Sequence, residues 1–155
     1  GAAVSVVGST ARLHATQSFL CSEKDGLVVK DEAKATLEHC NVSGCGRCGL
    51  YVVGKGKLTT QHCCVNESKC INIWVGRKAK AQLQHTTSNG SKAGKGWFVY
   101  GTASSLTATD SESSKNKYDG TYVARGAQLM LLRSSCCDNW SGLHACIRIR
   151  RFHYG

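Results

Sequence analysis

The chain has 155 residues, of which 41% are apolar and 19% charged, and this composition excludes an intrinsically disordered protein. Lys and Arg outnumber Asp and Glu by 20 to 10, which gives a formal net charge of +10; the absence of proline excludes proline-rich ligand motifs. No segment approaches the roughly 20 apolar residues of a membrane helix, so we expect no membrane span.

Short segments of alternating polar and apolar residues run through most of the chain and predict a mainly β protein. Turn sequences such as Asn89-Gly90 and Asp119-Gly120 separate them. In chain order the predicted strands are Ala3–Val7, Arg12–Leu20, Leu27–Lys30, Leu50–Val53, Leu58–His62, Ile71–Val75, Ala79–Thr86, Trp97–Tyr100, Thr121–Arg125, Gln128–Leu132 and Ala145–Phe152. Many short strands at this spacing indicate short-stranded β-barrel or β-sandwich units.

One segment in the N-terminal half, about 31–40, is predicted to be a helix. Asp31 is a suitable N-cap, good helix formers follow it, and Ala33, Leu37 and Cys40 then share one helical face. The helix would carry Cys40 to the core.

The stretch from Thr102 to Tyr118 is rich in Ser and Thr and has little apolar content. This composition is typical of a long exposed loop.

A short internal repeat suggests two related β units. Residues 63–68 and 136–141 both read C-C-x-N-x-S, and each is followed by a lone cysteine and an alternating segment. We therefore expect a cysteine-rich β unit with one helix at 1–80 and a β-rich unit at 90–155.

Ten cysteines suggest a disulfide-rich protein from an oxidising compartment, and we expect it to be secreted and extracellular. Seven precede residue 71 and three follow residue 135, so full pairing into five bridges needs at least one bridge between the two units. The predicted disulfide residues are Cys21, Cys40, Cys45, Cys48, Cys63, Cys64, Cys70, Cys136, Cys137 and Cys146.

The alternatives for these cysteines are a zinc site and a redox pair. Cys45 and Cys48, followed by His62 and Cys63, have a spacing that zinc could use. A redox pair needs a helix after Cys48, and the following sequence predicts a strand instead. We expect disulfides, no metal and no cofactor.

Four of the six asparagines open an N-x-S/T sequon, which supports passage through a eukaryotic secretory pathway. The glycosylation candidates are Asn41, Asn66, Asn89 and Asn139.

The excess positive charge predicts attraction to anions such as nucleic acid or acidic glycans, although solvated surface charges are the favoured interpretation. The basic surface candidates are Arg77, Lys78, Lys80, Arg148, Arg150 and Arg151.

Catalytic signals are weak. Six histidines could supply an acid–base pair, but no nucleophile elbow, zinc-protease or phosphate-loop motif occurs. We expect no catalytic residues and favour a protein that is not an enzyme.

The cysteine frame and the two-part layout resemble the dual-domain, cysteine-rich effectors that plant-pathogenic fungi secrete. The frame is Cys21, Cys40, Cys45, Cys48, Cys63, Cys64 and Cys70. The resemblance implies a secreted virulence effector or toxin that acts by binding a host protein, such as an immune receptor or a defence protein, and it implies no functional residues.

Two other functions stay open from the sequence. One is a secreted cationic ribonuclease-like toxin, and the other is a carbohydrate-binding module that uses Trp74, Trp97 or Trp140 as sugar platforms.

Overall fold

The computed structural model describes residues 1–140 and the backbone of two further strands, 147–149 and 152–154. All regular structure within these residues is β. In chain order the strands are β1 (Val4–Val7), β2 (Arg12–Thr16), β3 (Phe19–Leu20), β4 (Leu27–Lys30), β5 (Lys34–Glu38), β6 (Asn41–Ser43), β7 (Cys48–Val52), β8 (Lys57–Gln61), β9 (Cys64–Asn66), β10 (Ile71–Gly76), β11 (Lys80–Gln84), β12 (Trp97–Tyr100), β13 (Ser105–Thr109), β14 (Thr121–Ala124), β15 (Gln128–Leu132), β16 (Ser134–Cys136), β17 (Ile147–Ile149) and β18 (Phe152–Tyr154).

The strands coil into a β-solenoid of about six turns. Each turn contributes one strand to sheet 1, in the order β1-β4-β7-β10-β12-β14, and one to sheet 2, in the order β2-β5-β8-β11-β13-β15; all these pairings are parallel. A third face starts as β3-β6-β9 and continues as single bridges from Cys64 through Thr87 and Glu112 to Ser135. At the C-terminal end, β17 and β18 pair antiparallel with β16 and β15.

The core is built from rows of equivalent residues in successive turns. Leu27 lies opposite Leu50, and Leu50 lies opposite Ile73, so one turn takes 23 residues in this part of the chain. The central inward row of sheet 1 consists of valines in every turn: Val6, Val29, Val52, Val75, Val99 and Val123. β-Branched side chains fit this flat parallel packing, and the middle members of the row are fully buried.

The corner between sheet 1 and sheet 2, here corner 1, uses left-handed backbone conformations. Asp31 and Glu32 have φ of 56° and 68°, and Arg77 and Lys78 have φ of 53° and 67°. Such conformations cost energy outside glycine, so the stacked neighbours must hold them in place.

The corner after sheet 2, here corner 2, repeats a hydrogen bond that explains two cysteines. One left-handed residue is followed by an inward side chain that donates to the carbonyl two residues earlier. Serine or threonine supplies this donor at Ser18, Thr86, Ser111 and Ser134. Cys40 and Cys63 do the same with their thiols, at 3.3 Å each. These two cysteines therefore replace hydroxyl residues in a turn.

A hydrogen-bonded asparagine network fills the interior near the third face. The Asn116 side-chain oxygen accepts from the Ser91 backbone at 3.0 Å and from Asn72 at 3.2 Å. Its amide nitrogen donates to the Ser88 carbonyl at 3.2 Å and to Asn139 at 3.0 Å. One side chain thus joins three successive turns in a region that has few apolar residues.

The predicted barrel or sandwich architecture is wrong. Alternation along a strand reports one buried face and one exposed face, and a solenoid strand has the same alternation as a barrel strand. The difference lies in the partner: each strand here pairs in parallel with its equivalent one turn away, not with its neighbour in sequence.

The predicted helix at 31–40 is also wrong, because Lys34–Glu38 is strand β5. Ala35 and Leu37 face the core while Lys34 is exposed, which is a period of two. Parallel pairing with β2 and β8 satisfies the backbone and overrides the helical preference of these residues.

The disulfide-rich part of the fold prediction is wrong as well. Eight cysteines are free thiols: Cys21, Cys40, Cys45, Cys48, Cys63, Cys64, Cys70 and Cys136. Cys137 is disulfide-bonded, and Cys146 lies outside the described residues. None of the seven cysteines before residue 71 is bridged, so the five-bridge framework and its link between the two halves do not form.

The predicted exposed loop at 102–118 contains strand β13 (Ser105–Thr109) and a set of buried polar residues. Ser104 and Ser113 are fully buried, and Asn116 is nearly so. The buried serines of this segment form hydrogen bonds in the solenoid interior, whereas its threonines are not buried.

The two C-C-x-N-x-S segments occupy different positions in the solenoid. The equivalents of Cys63 and Cys64 are Ser134 and Ser135, whereas the second segment begins two residues later, at Cys136. The apparent repeat is therefore out of register with the real one. Between the proposed units 1–80 and 90–155, the β10-β12 and β11-β13 ladders continue without a break.

We predict that Asn116→Ala lowers the free energy of unfolding by about 3 kcal/mol, because it leaves buried donors and acceptors of three turns unpaired. Urea denaturation would measure the change. The matched control is Asn41→Ala at an exposed position, which should change it by less than about 0.5 kcal/mol. Equal effects of the two substitutions would contradict the role given to the network.

Candidate anion-binding site

Four cations form a row on the outer surface of sheet 2, here called the cation ladder. Arg12, Lys34, Lys57 and Lys80 are opposite one another in the parallel register of β2, β5, β8 and β11. All four are exposed. Adjacent strands are about 4.8 Å apart, so the ladder is about 14 Å long and parallel to the solenoid axis.

The cation ladder carries unbalanced positive charge. None of its members forms an ion pair within the described residues, although the Arg12 guanidinium donates to the carbonyls of Ser9 and Ala11 at 2.8 Å. Like charges directly opposite each other in a sheet destabilise the pairing. A bound polyanion would remove this repulsion, so the row has the electrostatics of an anion site.

Polar side chains lie beside the ladder on the same exposed face. The next outward row is formed by His14, Thr36, Thr59 and Gln82. These side chains offer hydrogen-bond donors and acceptors and contain no large aromatic ring except the imidazole. His14 also lies 3.3 Å from Glu38. On the other side of the ladder, Lys55 and, to a smaller extent, the charge of Lys57 lower the pKa of Glu32.

Corner 1 adds a groove next to the cation ladder. Its volume is about 570 Å³, and its lining residues are Gly8, Ser9, Asp31, Glu32, Gly54, Lys55, Arg77 and Lys78. Lys55 donates to Glu32 at 2.8 Å, and this hydrogen bond together with the lysine charge lowers the pKa of Glu32. Glu32 stays ionised and its charge is balanced by Lys55, while Arg77 and Lys78 form no ion pair within the described residues. With Asp31 counted, the lining has three cations and two carboxylates, a net charge of +1.

The sequence-predicted basic residues Arg77, Lys78 and Lys80 therefore belong to one surface. Its other cations, namely Arg12, Lys34, Lys55 and Lys57, were not among the basic residues predicted from the sequence. For Lys34 and Lys57 the sequence does contain a signal, because Lys34, Lys57 and Lys80 recur every 23 residues. Arg148 has only its backbone described, and Arg150 and Arg151 lie outside the described residues.

The sequon asparagines differ in their surroundings. Asn41 is exposed. Asn66 accepts from the Asn89 backbone, and Asn89 accepts from Ser114. Asn139 donates to the Ser113 carbonyl and accepts from Asn116, so its amide nitrogen is already in use. Glycosylation stays a prediction for all four.

The residues of the zinc hypothesis do not form a metal site: within the described part of the chain, no group of three or more His, Cys, Asp or Glu residues could hold an ion. Burial raises the pKa of Cys48 to about 12 and also raises the pKa of Cys45 and Cys63. Raised thiol pKa values disfavour the thiolate that zinc binding and redox chemistry need.

Three histidines occupy the left-handed position of corner 2 in successive turns. The imidazole centroids of His39 and His62 are 4.9 Å apart, those of His62 and His85 are 4.6 Å apart, and both pairs are stacked within 8°. The three rings are exposed and pack on each other, whereas an acid–base pair needs its two groups in reach of a substrate that lies between them.

The three tryptophans have different environments. Trp97 is fully buried, which excludes it as a sugar platform, whereas Trp74 is on the outer face of sheet 1 and Trp140 is exposed. The described residues include no helix that is long and apolar enough to cross a membrane.

Residues 4–148 match the family of right-handed β-helix regions. The match covers most of the chain, and the chain belongs to this family. It is therefore a right-handed parallel β-helix protein, in agreement with the stacked sheets described above. No curated protein and no solved structure matches the sequence.

We predict two classes of cysteine in the native protein. Cys21, Cys64 and Cys70 are exposed and should react with iodoacetamide within minutes, while Cys48 and Cys136 should be protected. Peptide mass mapping after a labelling time course would measure both rates. Loss of ten hydrogens in the native mass, compared with the reduced protein, would contradict the free thiols.

We also predict that stability falls as the pH rises above about 8.5. The pKa of Cys48 is raised to about 12 and that of Cys136 to about 11, chiefly by burial. Above the thiol pKa of the unfolded chain, the unfolded state releases protons that the folded state keeps, so rising pH favours unfolding. Urea denaturation at pH 7 and 9.5 would measure the loss in the free energy of unfolding, and this loss should be smaller by about 1 kcal/mol in Cys48→Ala than in the wild-type protein. An identical loss in both proteins would contradict the role given to Cys48.

Proposed function

We propose that the protein binds a linear acidic polysaccharide along the cation ladder of sheet 2. The observation that carries the proposal is a row of four exposed cations, in register over about 14 Å, none of which forms an ion pair in the described residues. A polymer with a negative charge on successive sugars would place its charges along the row. Counterion release would then contribute to its affinity.

The neighbouring groups favour a glycan over a nucleic acid. Thr36, Thr59 and Gln82 border the ladder, and their hydroxyl and amide groups are suited to sugar hydroxyls. Single-stranded nucleic acids are held by aromatic rings interleaved with cations, and no Phe, Tyr or Trp lies in these two rows.

The corner groove extends the same surface. Arg77 and Lys78 lie three and two residues before Lys80 in the chain, and Lys55 is held at the groove by Glu32. A carboxylated or sulfated branch could enter the groove while the main chain follows the ladder. The groove thus supports an acidic ligand larger than a single ion.

The secreted location and the host-protein effector hypothesis stay predictions, and glycan binding is compatible with both. A ribonuclease-like activity would need an acid–base pair, and the described histidine row offers stacked rings instead.

We predict that the protein binds an oligogalacturonate or heparin at low ionic strength and that added salt weakens this binding. The triple variant K34Q/K57Q/K80Q should bind at least about tenfold more weakly, because it removes three of four ladder charges. Isothermal titration with each acidic glycan, with neutral dextran and with a single-stranded RNA would measure the affinities.

The matched control is K69Q/K92Q/K117Q, which removes the same charge from exposed lysines of another row. It should lose less than about threefold in affinity. The proposal fails if neither acidic glycan binds the wild-type protein, if RNA binds more tightly than both, or if the two triple variants lose affinity equally.

A further inference from the structure

A second surface, on the outer face of sheet 1, is aromatic. Tyr51, Trp74, Phe98 and Tyr122 are in register on β7, β10, β12 and β14. Tyr100 lies two residues after Phe98 on the same face. Tyr100 keeps 39% of its surface exposed and Tyr122 keeps 42%, so the row opens to solvent at its C-terminal end.

The rings at this end form a two-dimensional platform. Phe98 is parallel within 12° to Tyr100 at 5.9 Å and within 6° to Tyr122 at 5.3 Å. The first separation runs along a strand and the second runs between strands. Both pairs are stacked, and Phe98 is the ring that the two tyrosines share, so the exposed parts of Tyr100 and Tyr122 are the surface that a ligand can reach.

The platform is at the end of its sheet. Sheet 1 ends with β14 in the described residues, whereas sheet 2 continues with β18. Tyr122 is consequently the last ring of the aromatic row. Within the described part of the chain, no further strand of this sheet lies on the side of Tyr122 away from Phe98.

A neutral ion pair borders the platform. The Lys95 ammonium lies 4.9 Å from the centroid of the Tyr122 ring and 3.5 Å from an Asp119 carboxylate oxygen. The ammonium lies over the Tyr122 ring in a cation–π contact, so the pair offers one hydrogen-bond donor group and one acceptor group at the ring and adds no net charge. Exposed aromatic area with a small number of polar groups is typical of a recognition site and not of a solvated surface.

We infer that Tyr100 and Tyr122, bordered by Lys95 and Asp119, form a second carbohydrate site that binds a neutral pyranose. The apolar face of the sugar packs on the tyrosine rings. Its hydroxyls both donate and accept, which matches the ammonium and the carboxylate. The absence of net charge separates this site from the cation ladder, which is on another sheet, so the inference does not depend on the proposed function.

The test is a titration of the protein with cellohexaose, xylohexaose and mannohexaose, followed by saturation-transfer NMR and by calorimetry. At least one hexasaccharide should bind with a dissociation constant below about 10 mM. The double variant Y100A/Y122A should lose at least about tenfold in affinity, and Y100F/Y122F should keep it because the rings remain.

The matched control is Phe19→Ala, which removes an exposed aromatic ring from the third face and should leave the affinity unchanged. K34Q/K57Q/K80Q should also bind the neutral sugar normally. The inference is overturned if no hexasaccharide binds the folded wild-type protein, or if Phe19→Ala weakens binding as much as Y100A/Y122A. Loss of acidic-glycan binding alone would count against the cation ladder and leave the platform intact.

Discussion

Parallel, in-register stacking of equivalent residues is the constraint on which the rest of the structure depends. Every side chain has its counterparts in the adjacent turns about 4.8 Å away, so each row must be compatible with itself. Valines pack together in sheet 1, and imidazoles stack at corner 2. Amides join successive turns through Asn116. A row of lysines has no such favourable contact, so the cation ladder is a row whose repulsion an external anion would relieve.

The same constraint changes the meaning of the cysteines. Cys40 and Cys63 share a row with serines and a threonine, and all of them donate to a carbonyl of their own turn. A thiol of this kind is a small buried donor whose chemistry is suppressed by burial. A high cysteine count does not by itself report disulfides: in the first half of this solenoid the thiols of Cys21 and Cys45, of Cys40 and Cys63, and of Cys48 and Cys70 lie close enough to affect one another, and all six are free.

Local features of the fold could be predicted from the sequence, and its topology could not. Strands Leu27–Lys30, Trp97–Tyr100 and Gln128–Leu132 match their predicted bounds, because alternation depends only on adjacent residues. The helix prediction at 31–40 is wrong because this segment becomes a strand only by pairing with β2 and β8, which lie about one solenoid turn away in sequence. A 23-residue period links Val29, Val52 and Val75. The period is hard to recognise in the sequence, because apolar residues replace one another at equivalent positions and later turns are longer.

The candidate sites show the same difference between local features, which could be predicted from the sequence, and contacts between turns, which could not. Arg77, Lys78 and Lys80 are neighbours in sequence, so their clustering was visible without a structure. Lys34 and Lys57 join them only through the stacking of β5, β8 and β11.

Stacking also explains why the charged and aromatic surfaces are separate. Repetition keeps one residue type at one angular position around the axis, so cations accumulate along sheet 2 and rings accumulate along sheet 1. A globular surface of the same composition would mix them. Here each row lengthens as turns are added, and a linear polymer that lies parallel to the axis meets the same chemistry at each step. The solenoid thus turns a weak single contact into a series, and the affinity of such a surface depends on the number of turns that share it.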